Sequence, residues 1–385
     1  MIGVGGGATT PAATASPGRV TERDAWIALS QVPGIGPAGF ARLLRRHGSA
    51  VDAWRQGPPL PDDGRPSVAR KDWPQDPRAV ARSIEERTAA LGGRVVTAVE
   101  EAYPPALLTL DPRPPTLYVI GDRAAFETPA VAIVGTRRAS GYGLAVTAEI
   151  ADELARFGTV VVSGLALGID GAAHRASLAA GGRGIAVLPS PLDRIYPPRH
   201  RPLARELVRG GGALVTELPP GAAVGRPDFA RRNRLIAGLA LAVVVVEAPD
   251  RSGALLTAAA ASAIGRELYA VPGPIDAMAS RGCNRLIADH QAEIVTSAVA
   301  LLQQIGLSRG MAPPVVATLS EVEGQVLRRL LDRSGSLEEL VDRTSHPPAA
   351  VASALTLLES RGLVSSFGGA TFHPTLAARR LARVV

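Results

Sequence analysis

The stretch "VAIVGTRRASGYGLAVTAEI", residues 131–150, decides the fold of the central part of the chain. It starts as an apolar strand, breaks at Gly135, passes two arginines and two more glycines, and continues with the apolar spacing of a helix. A strand, a glycine-rich turn and a helix in this order are typical of a phosphate-binding loop, because backbone amides at a helix start attract anions. Any strand-to-helix connection also needs such a turn, so this loop alone leaves its ligand open.

Apolar segments rich in Val and Ala recur along the middle of the chain and alternate with helical stretches. Buried parallel strands have this near-continuous apolar character, and the helices between them indicate crossover connections. We expect strands at 131–134, 159–163, 184–188, 213–217, 242–247 and 267–271. The pattern predicts an α/β fold with a Rossmann-like, doubly wound, mostly parallel sheet and helices on both faces.

The chain of 385 residues has room for more than one domain. Near the N-terminus, a Gly-Ile-Gly hairpin at 34–36 precedes a helix with Arg42, Arg45 and Arg46. The hairpin either contacts DNA phosphates or simply provides a tight turn within a helical bundle. Near the C-terminus, three helices and the hairpin "GLVSSFGGATFHP" indicate a winged helix. We therefore predict a disordered tail at 1–18, an N-terminal helix-hairpin or SAM-like helical domain at 19–60, a connector at 61–92, the Rossmann-like core at 93–306, a linker at 307–318 and a winged-helix domain at 319–385.

Charge and composition limit the class of protein. The formal net charge of +7 favours a polyanionic partner, although a bias towards arginine explains it equally well, since Lys71 is the only lysine among 42 basic residues. A single cysteine, Cys283, excludes an intrachain disulfide and suits a reducing cytoplasm. The longest apolar run, 235–246, is too short for a bilayer, and the N-terminal segment has no signal-peptide pattern. We expect a cytoplasmic protein without membrane contact.

Loops rich in Gly, Ser, Arg and Asn follow several of the predicted strands. The carboxyl ends of parallel strands meet at one edge of a sheet, where ligands bind. Arginine can donate two hydrogen bonds to one phosphate, and an aromatic ring beside arginines, as at Phe229, suits a base stacked near its own phosphate. The candidate ligand-binding residues are Gly135, Arg137, Ser140, Gly141, Gly143, Ser163, Gly164, Gly168, Phe229, Arg231, Asn233, Arg234, Ser252 and Gly253.

Asp170 and His174 allow two interpretations. Asp170 stands where a helix N-cap is expected, and His174 follows four residues later on the same helical face. The two residues either cap and pack the helix or form an acid–base pair. The sequence has no Walker motif, no metal-ligand spacing among its six histidines and no serine-hydrolase elbow. We therefore expect no catalytic residue, no metal and no cofactor.

Seven separated motifs between about residues 103 and 297 resemble the DNA-processing protein A (DprA, or Smf) family, and they occur in the family's order. The resemblance implies a non-catalytic core that binds and protects single-stranded DNA, forms a homodimer and helps to load RecA during transformation or recombination. It places the DNA pocket at Arg137, Phe229, Arg231, Asn233 and Arg234. The motifs are "YPPALLTLDPRPPTLYVIGD", "GTRRASGYG", "SGLALGIDGAAHRASL", "LDRIYPPRH", "FARRNRLIAGLA", "SGALLTA" and "VPGPIDAMASRGCNRLI".

Two other classes of function stay open. A Rossmann-like phosphoribohydrolase that cleaves nucleotides would use Asp170, His174 and Glu217 for acid–base chemistry. An interaction hub would use the N-terminal helices and the winged helix as docks for proteins. The C-terminal residues 311–385 carry eight arginines and seven acidic residues, and this near-neutral charge favours protein docking over DNA binding there.

Overall fold

The computed structural model describes residues 19–58, 69–307, 319–333, 335–361, 363–367 and 371–374. Outside these residues lie the tail predicted at 1–18, residues 61–68 of the connector predicted at 61–92, residues 308–318 of the linker predicted at 307–318, the Gly-Gly turn at 368–369 and residues 375–385 of the predicted winged-helix domain. The chain forms two compact units, which divide after Gly306.

A nine-stranded sheet is the centre of the first unit. Its strands are β1 Arg94–Thr97, β2 Thr116–Gly121, β3 Ala130–Val134, β4 Val160–Ser163, β5 Gly184–Val187, β6 Ala213–Thr216, β7 Ala242–Val245, β8 Glu267–Ala270 and β9 Glu293–Ile294. They lie in the order β1-β2-β6-β5-β4-β3-β7-β8-β9. All neighbours from β6 to β9 in this order are parallel, while β1 and β2 add an antiparallel edge.

The predicted fold class is confirmed. Each of the six predicted strands is present within two residues of its expected ends. Strand β2 was not predicted, since its place in the sheet depends on antiparallel pairing with β6, almost a hundred residues later. The chain runs outward from β3 through β4 and β5 to β6, and then returns to place β7 on the other side of β3. The strand order therefore reverses between β3 and β7.

Helices cover both faces of the sheet. The helices of the first unit are α1 Glu22–Ser30, α2 Pro37–His47, α3 Ala50–Gln56, α4 Pro77–Ala89, α5 Ala124–Glu127, α6 Gly141–Arg156, α7 Ile169–Ala179, α8 Arg201–Arg209, α9 Arg226–Leu239, α10 Gly253–Ala263, α11 Arg281–Ala288 and α12 Ala298–Gln304. Helices α9 and α10 pack together against one face, and α6, α7 and α8 pack against the other. All five residues of β3 are buried, because its side chains alternate between these two layers.

The N-terminal helices α1 to α4 form a small bundle against the β1–β2 edge. Thr21 and Asp24 form a reciprocal capping box at the start of α1. The Trp26 and Phe40 rings lie 4.8 Å apart and join α1 to α2. At the end of α1, the Gln31 side-chain amide donates to the Tyr118 hydroxyl of β2 at 2.8 Å. The bundle thus rests directly on the sheet.

The second unit is a winged helix. It contains α13 Glu321–Asp332, α14 Leu337–Thr344, α15 Pro348–Ser360, β10 Val364–Phe367 and β11 Thr371–Pro374. The two strands are antiparallel, as predicted for the hairpin. Its own apolar core includes Val326 and Leu330 of α13, Leu340 of α14 and Leu355 of α15. Throughout the described part of the chain, no helix is long and apolar enough to cross a membrane.

Candidate functional site

A cleft of about 340 Å³ opens at the carboxyl ends of β3 and β7. This is the point where the strand order reverses, and open α/β sheets bind their ligands at such points. Its walls come from the loop after β3, the loop after β4, the cleft-facing side of α9 and the segment joining β7 to α10. Four separate loops or helices that the sequence singled out therefore meet at one place.

The loop after β3 is anchored by Glu247, a buried residue two positions beyond the end of β7. The Glu247 carboxylate accepts hydrogen bonds from the backbone N–H and the side-chain hydroxyl of Ser140. The Ser140 hydroxyl oxygen in turn caps α6 by accepting from the Gly143 N–H at 3.0 Å. An internal carboxylate thus lies at the electropositive start of α6, where a mononucleotide phosphate would otherwise bind.

The glycines of this loop have different surroundings. A Cβ atom on Gly135 would lie 2.5 Å from the Ile169 side chain, and one on Gly143 would lie 2.4 Å from the Glu247 carboxylate. A Cβ atom on Gly141 would meet nothing within 4 Å. Gly135 and Gly143 are therefore explained by packing inside the protein, whereas Gly141 leaves open space at the surface.

The loop after β4 packs beneath the loop after β3. The Ser163 hydroxyl donates to the Ile133 carbonyl at 2.6 Å, which ties β4 to β3. Gly168 has a φ of 75°, and a Cβ atom there would lie 2.2 Å from the Thr136 carbonyl oxygen. A Cβ atom on Gly164 would likewise clash with the guanidinium of Arg232. Ser163, Gly164 and Gly168 thus support the cleft from below instead of lining it.

Asp170 is the second residue of α7, and the N-cap position belongs to Gly168. Its carboxylate accepts hydrogen bonds from the Gly164 N–H at 3.1 Å and the Ala166 N–H at 3.3 Å, so it closes the loop that precedes the helix. Burial raises the pKa of Asp170, and nearby Arg232 opposes that shift. The capping interpretation is therefore close to the observed role, although the residue lies two positions inside the expected cap.

His174 is fully buried below the cleft. Burial lowers its pKa to about 3, so the imidazole is neutral at physiological pH. A side chain closed off from solvent cannot exchange protons with a ligand in the cleft. The geometry does not support an acid–base pair between Asp170 and His174.

Helix α9 presents one of its faces to the cleft. Phe229, Arg232, Asn233 and Ile236 line it, with the spacing of three and four residues that places side chains on one helical face. The Arg232 guanidinium is buried and donates to the Gly164 carbonyl at 2.6 Å and the Val187 carbonyl at 3.0 Å. Burial lowers the pKa of Arg232 to about 10, which still leaves a positive charge under the cleft floor at neutral pH.

Arg231 and Arg234 point away from the cleft. Arg231 forms an ion pair with Asp228 at 3.4 Å. Arg234 donates to the Glu217 carboxylate at 2.7 Å and to the Pro112 carbonyl at 2.5 Å. Both arginines are thus paired with carboxylates of the protein, Arg231 at the surface and Arg234 at the more buried Glu217. Glu217 belongs with Arg234 and forms no hydrogen bond with Asp170 or His174. The structure therefore does not bring the three proposed acid–base residues together.

The mouth of the cleft is cationic. Arg137, Arg138 and Arg251 are exposed, line the cleft and form no ion pair with any described residue. The Arg137 guanidinium lies over the Phe229 ring, 5.8 Å from its centroid. Asp170 is the one acidic residue among the described residues that line the cleft, and it is buried.

The start of α10 completes the cleft. Ser252 is its N-cap and accepts from the Ala254 N–H at 3.2 Å. Gly253 is exposed, and a Cβ atom there would meet nothing within 4 Å, so a ligand has room to approach the backbone. The Asn233 side chain lies against this turn, 3.4 Å from the Gly253 carbonyl oxygen. Ser252, Gly253 and Asn233 are therefore brought together with Arg137 and Phe229.

The candidate residues from the sequence did not include four residues of this arrangement: Arg138, Arg232, Arg251 and Glu247. Arg138 directly follows the candidate Arg137. Arg251 lies in the loop "APDRSG", directly before the candidates Ser252 and Gly253, so it could have been identified from the sequence. Arg232 was signalled by its helical spacing from Phe229. Glu247 carried no local signal, since its partner Ser140 is 107 residues away. Among the described residues, no group of three or more His, Cys, Asp or Glu side chains could hold a metal ion.

The fold and the cleft together define a Rossmann-like protein with a cationic binding cleft at the switch point of its sheet. Residues 94–306 match the family described as DNA recombination-mediator protein A. Residues 311–370 match the DprA winged helix domain, and residues 20–79 match the DprA-like N-terminal HHH domain. The chain belongs to the DNA recombination-mediator protein A family, as the sequence motifs indicated.

Individual relatives agree with this assignment. A Mycobacterium tuberculosis protein is 37% identical over 369 residues, which is 90% of this chain and 92% of that protein. The X-ray structure of DNA processing protein A from Streptococcus pneumoniae has a TM-score of 0.59 and 29% identity, and the match covers 74% of this chain and 98% of the other.

A Helicobacter pylori DNA processing protein A, solved to describe its single-stranded DNA binding mode, has a TM-score of 0.51 and 30% identity over 55% of this chain and 95% of the other. A role in DNA processing and recombination therefore fits this chain, and the alternative of a nucleotide-cleaving enzyme is not favoured.

Proposed function

We propose that the chain binds single-stranded DNA in the cleft and acts as a recombination mediator without catalysis. The observation that carries the proposal is the set of three exposed arginines, Arg137, Arg138 and Arg251, arranged around Phe229 without ion-pair partners among the described residues. Unpaired exposed arginines neutralise phosphates at little desolvation cost. The Helicobacter pylori relative, described by its single-stranded DNA binding, supports the same ligand.

A strand fits this arrangement better than a single nucleotide does. The phosphates of a strand are spaced along its length, so arginines on separate loops can each neutralise one. The Glu247 carboxylate is bonded to Ser140 at the start of α6, and its negative charge disfavours a phosphate at the position that a nucleotide-binding loop usually offers. Phe229 offers a ring on which any base can stack, so binding would be largely independent of sequence.

The same geometry supports a role without catalysis. The acidic residues that an enzyme would need already form hydrogen bonds within the protein. Asp170 is bonded to loop amides, and Glu217 is bonded to Arg234. His174 is buried and neutral. We therefore assign these residues to the framework of the cleft.

We further propose that the protein forms a homodimer, works in the cytoplasm and delivers the strand to the RecA recombinase. The family description as a recombination mediator supports a recombinase partner. Ile275 and Met278 are 92% and 68% exposed, and they supply apolar surface that a dimer would bury. The free, buried Cys283 suits a reducing compartment.

Fluorescence anisotropy tests the proposal directly. A fluorescein-labelled oligothymidylate should bind, and its affinity should fall steeply as salt rises. Unlabelled oligothymidylate should compete, while thymidine monophosphate and blunt duplex DNA should compete far less. Release of free base from nucleoside monophosphates, or equal competition by the mononucleotide, would overturn the proposal in favour of the enzyme.

A further inference from the structure

An exposed tyrosine lies at the rim of the cleft, next to the ring assigned to base stacking. Tyr196 is 44% exposed, and its ring centroid lies 5.9 Å from that of Phe229 at an interplanar angle of 89°. No hydrogen bond involves its hydroxyl in the described part of the chain. The aromatic surface of the cleft therefore extends beyond Phe229 onto the segment between β5 and α8.

The core does not require this ring. Leu192 is buried in the apolar cluster under this segment, and Ile195 packs against that cluster. His200, at the end of the segment, is fixed by its ring nitrogen Nδ1, 2.8 Å from the Leu165 carbonyl oxygen. The segment is thus anchored on both sides of Tyr196, so its position does not depend on the Tyr196 ring, whose aromatic contact is with Phe229.

We propose that Tyr196 is a second base-stacking residue and that a bound strand continues from Phe229 over Tyr196. This inference rests on the proposed single-stranded DNA binding. Arg194 and Arg199 flank Tyr196, are exposed and form no ion pair with any described residue, so they can neutralise the phosphates of the additional nucleotides. The binding site for a strand is therefore longer than the cleft itself.

The angle between the two rings sets the path of the strand. Bases that stack on two rings at 89° cannot lie parallel to each other. Consecutive nucleotides must therefore turn where the strand passes from Phe229 to Tyr196. Such a turn is open to a flexible single strand and closed to a stacked duplex, which adds to the discrimination against duplex DNA.

Affinity for oligothymidylates of increasing length tests the inference. Tyr196→Ala should leave the shortest oligonucleotides that bind unaffected and should weaken the longer ones by about tenfold, the value of one lost base–aromatic stack. Tyr196→Phe keeps the ring and should bind like the wild type at every length. Leu241→Ala is the matched control, since it also removes an exposed apolar side chain: Leu241 is 45% exposed and directly precedes β7, at the opposite end of that strand from the cleft.

The outcomes separate this inference from the proposed function. If the wild type binds no oligothymidylate, or if Phe229→Ala binds as well as the wild type, the proposed function fails. If Phe229→Ala weakens binding while Tyr196→Ala matches the wild type at every length, only the second stacking residue is overturned. Photo-crosslinking of wild-type protein with 5-iododeoxyuridine oligonucleotides should mark both rings, and crosslinks to Phe229 without any to Tyr196 would also overturn it.

Discussion

The Arg137 guanidinium lies over the Phe229 ring, 5.8 Å from its centroid, and so joins the loop after β3 to α9 across the mouth of the cleft. The arginine is exposed, while the ring is partly buried. A cation held over an aromatic face is attracted by the ring but stays free to donate to an anion. One side chain is therefore positioned to bind the phosphate of a nucleotide whose base stacks on the other.

Arg137→Ala should weaken binding of single-stranded DNA by about 1–3 kcal/mol, because it removes a charge-assisted contact to phosphate. The slope of log affinity against log salt should fall by about 0.7, the value for one phosphate contact on a single strand. Anisotropy titrations over a salt series measure both quantities.

Arg209→Ala is the control for this change. Arg209 is an exposed arginine at the end of α8 and lies outside the cleft. Its loss removes one positive charge from the protein without touching the site. If the two variants lose equal affinity, net charge and not the cleft governs binding.

Arg234→Ala should affect stability instead of salt dependence. Arg234 is bonded to Glu217, whose carboxylate is buried and whose pKa is raised by that burial. Without its partner, the carboxylate must stay buried alone or take up a proton, and the free energy of unfolding should fall by about 3–5 kcal/mol. Urea denaturation at neutral pH measures the loss.

The double variant Arg234→Ala with Glu217→Gln is the check on that mechanism. A neutral amide costs less to bury than a carboxylate, so the second change should recover part of the lost stability. The opposite result would be an Arg234→Ala variant that is as stable as the wild type and shows the same decrease in the slope of log affinity against log salt as Arg137→Ala. That result would place Arg234 in the DNA site.

Two glycines of α6 should respond oppositely to the same substitution. Gly143→Ala places a methyl group against the Glu247 carboxylate and should destabilise the fold by about 1–3 kcal/mol through overpacking. Gly141→Ala places its methyl group in open space in the first turn of the helix, so the free energy of unfolding should stay the same or rise by up to about 1 kcal/mol. Thermal unfolding of the two variants distinguishes them, and equal melting temperatures would contradict the contact with Glu247.

The sheet could be predicted from the sequence because its parallel strands are buried on both faces. "VAIV" and "LAVVVV" contain almost no polar residue, so their boundaries are visible without any partner. The position of the site followed from the same topology, since parallel strands bring their following loops to one edge. Strand β2 was missed because its antiparallel pairing with β6 is a long-range contact.

Individual side chains of the site were harder to predict because their direction depends on helix phase and tertiary contacts. The run "FARRNR" contains three arginines, and only Arg232 shares the face of Phe229. Counting in steps of three and four residues from Phe229 would have selected it. No such rule could have revealed that Arg234 meets Glu217, because those positions come together only through the packing of α9 against the end of β6.

The neutral, buried His174 should make stability depend on pH. Its pKa is lowered to about 3 chiefly by burial, and the positive charges that His200 and Arg175 can carry act in the same direction. In the unfolded chain the pKa returns to 6.5, so between these values the unfolded chain binds a proton that the folded chain does not. Stability that is fully present well above pH 6.5 is therefore lost as the pH falls through that value, and the loss approaches about 1.4 kcal/mol for each pH unit well below it.

His174→Gln removes this proton and should flatten that part of the pH dependence. The variant loses some stability at every pH, so the measured quantity is the difference in free energy of unfolding between wild type and variant. This difference should shrink by about 1 kcal/mol between pH 6.5 and 5.5, because the unfolded histidine is only half protonated at the upper end of the range. Parallel stability curves for the two proteins over this range would show that His174 is protonated in the folded chain, and the buried neutral imidazole beneath the cleft would have to be abandoned.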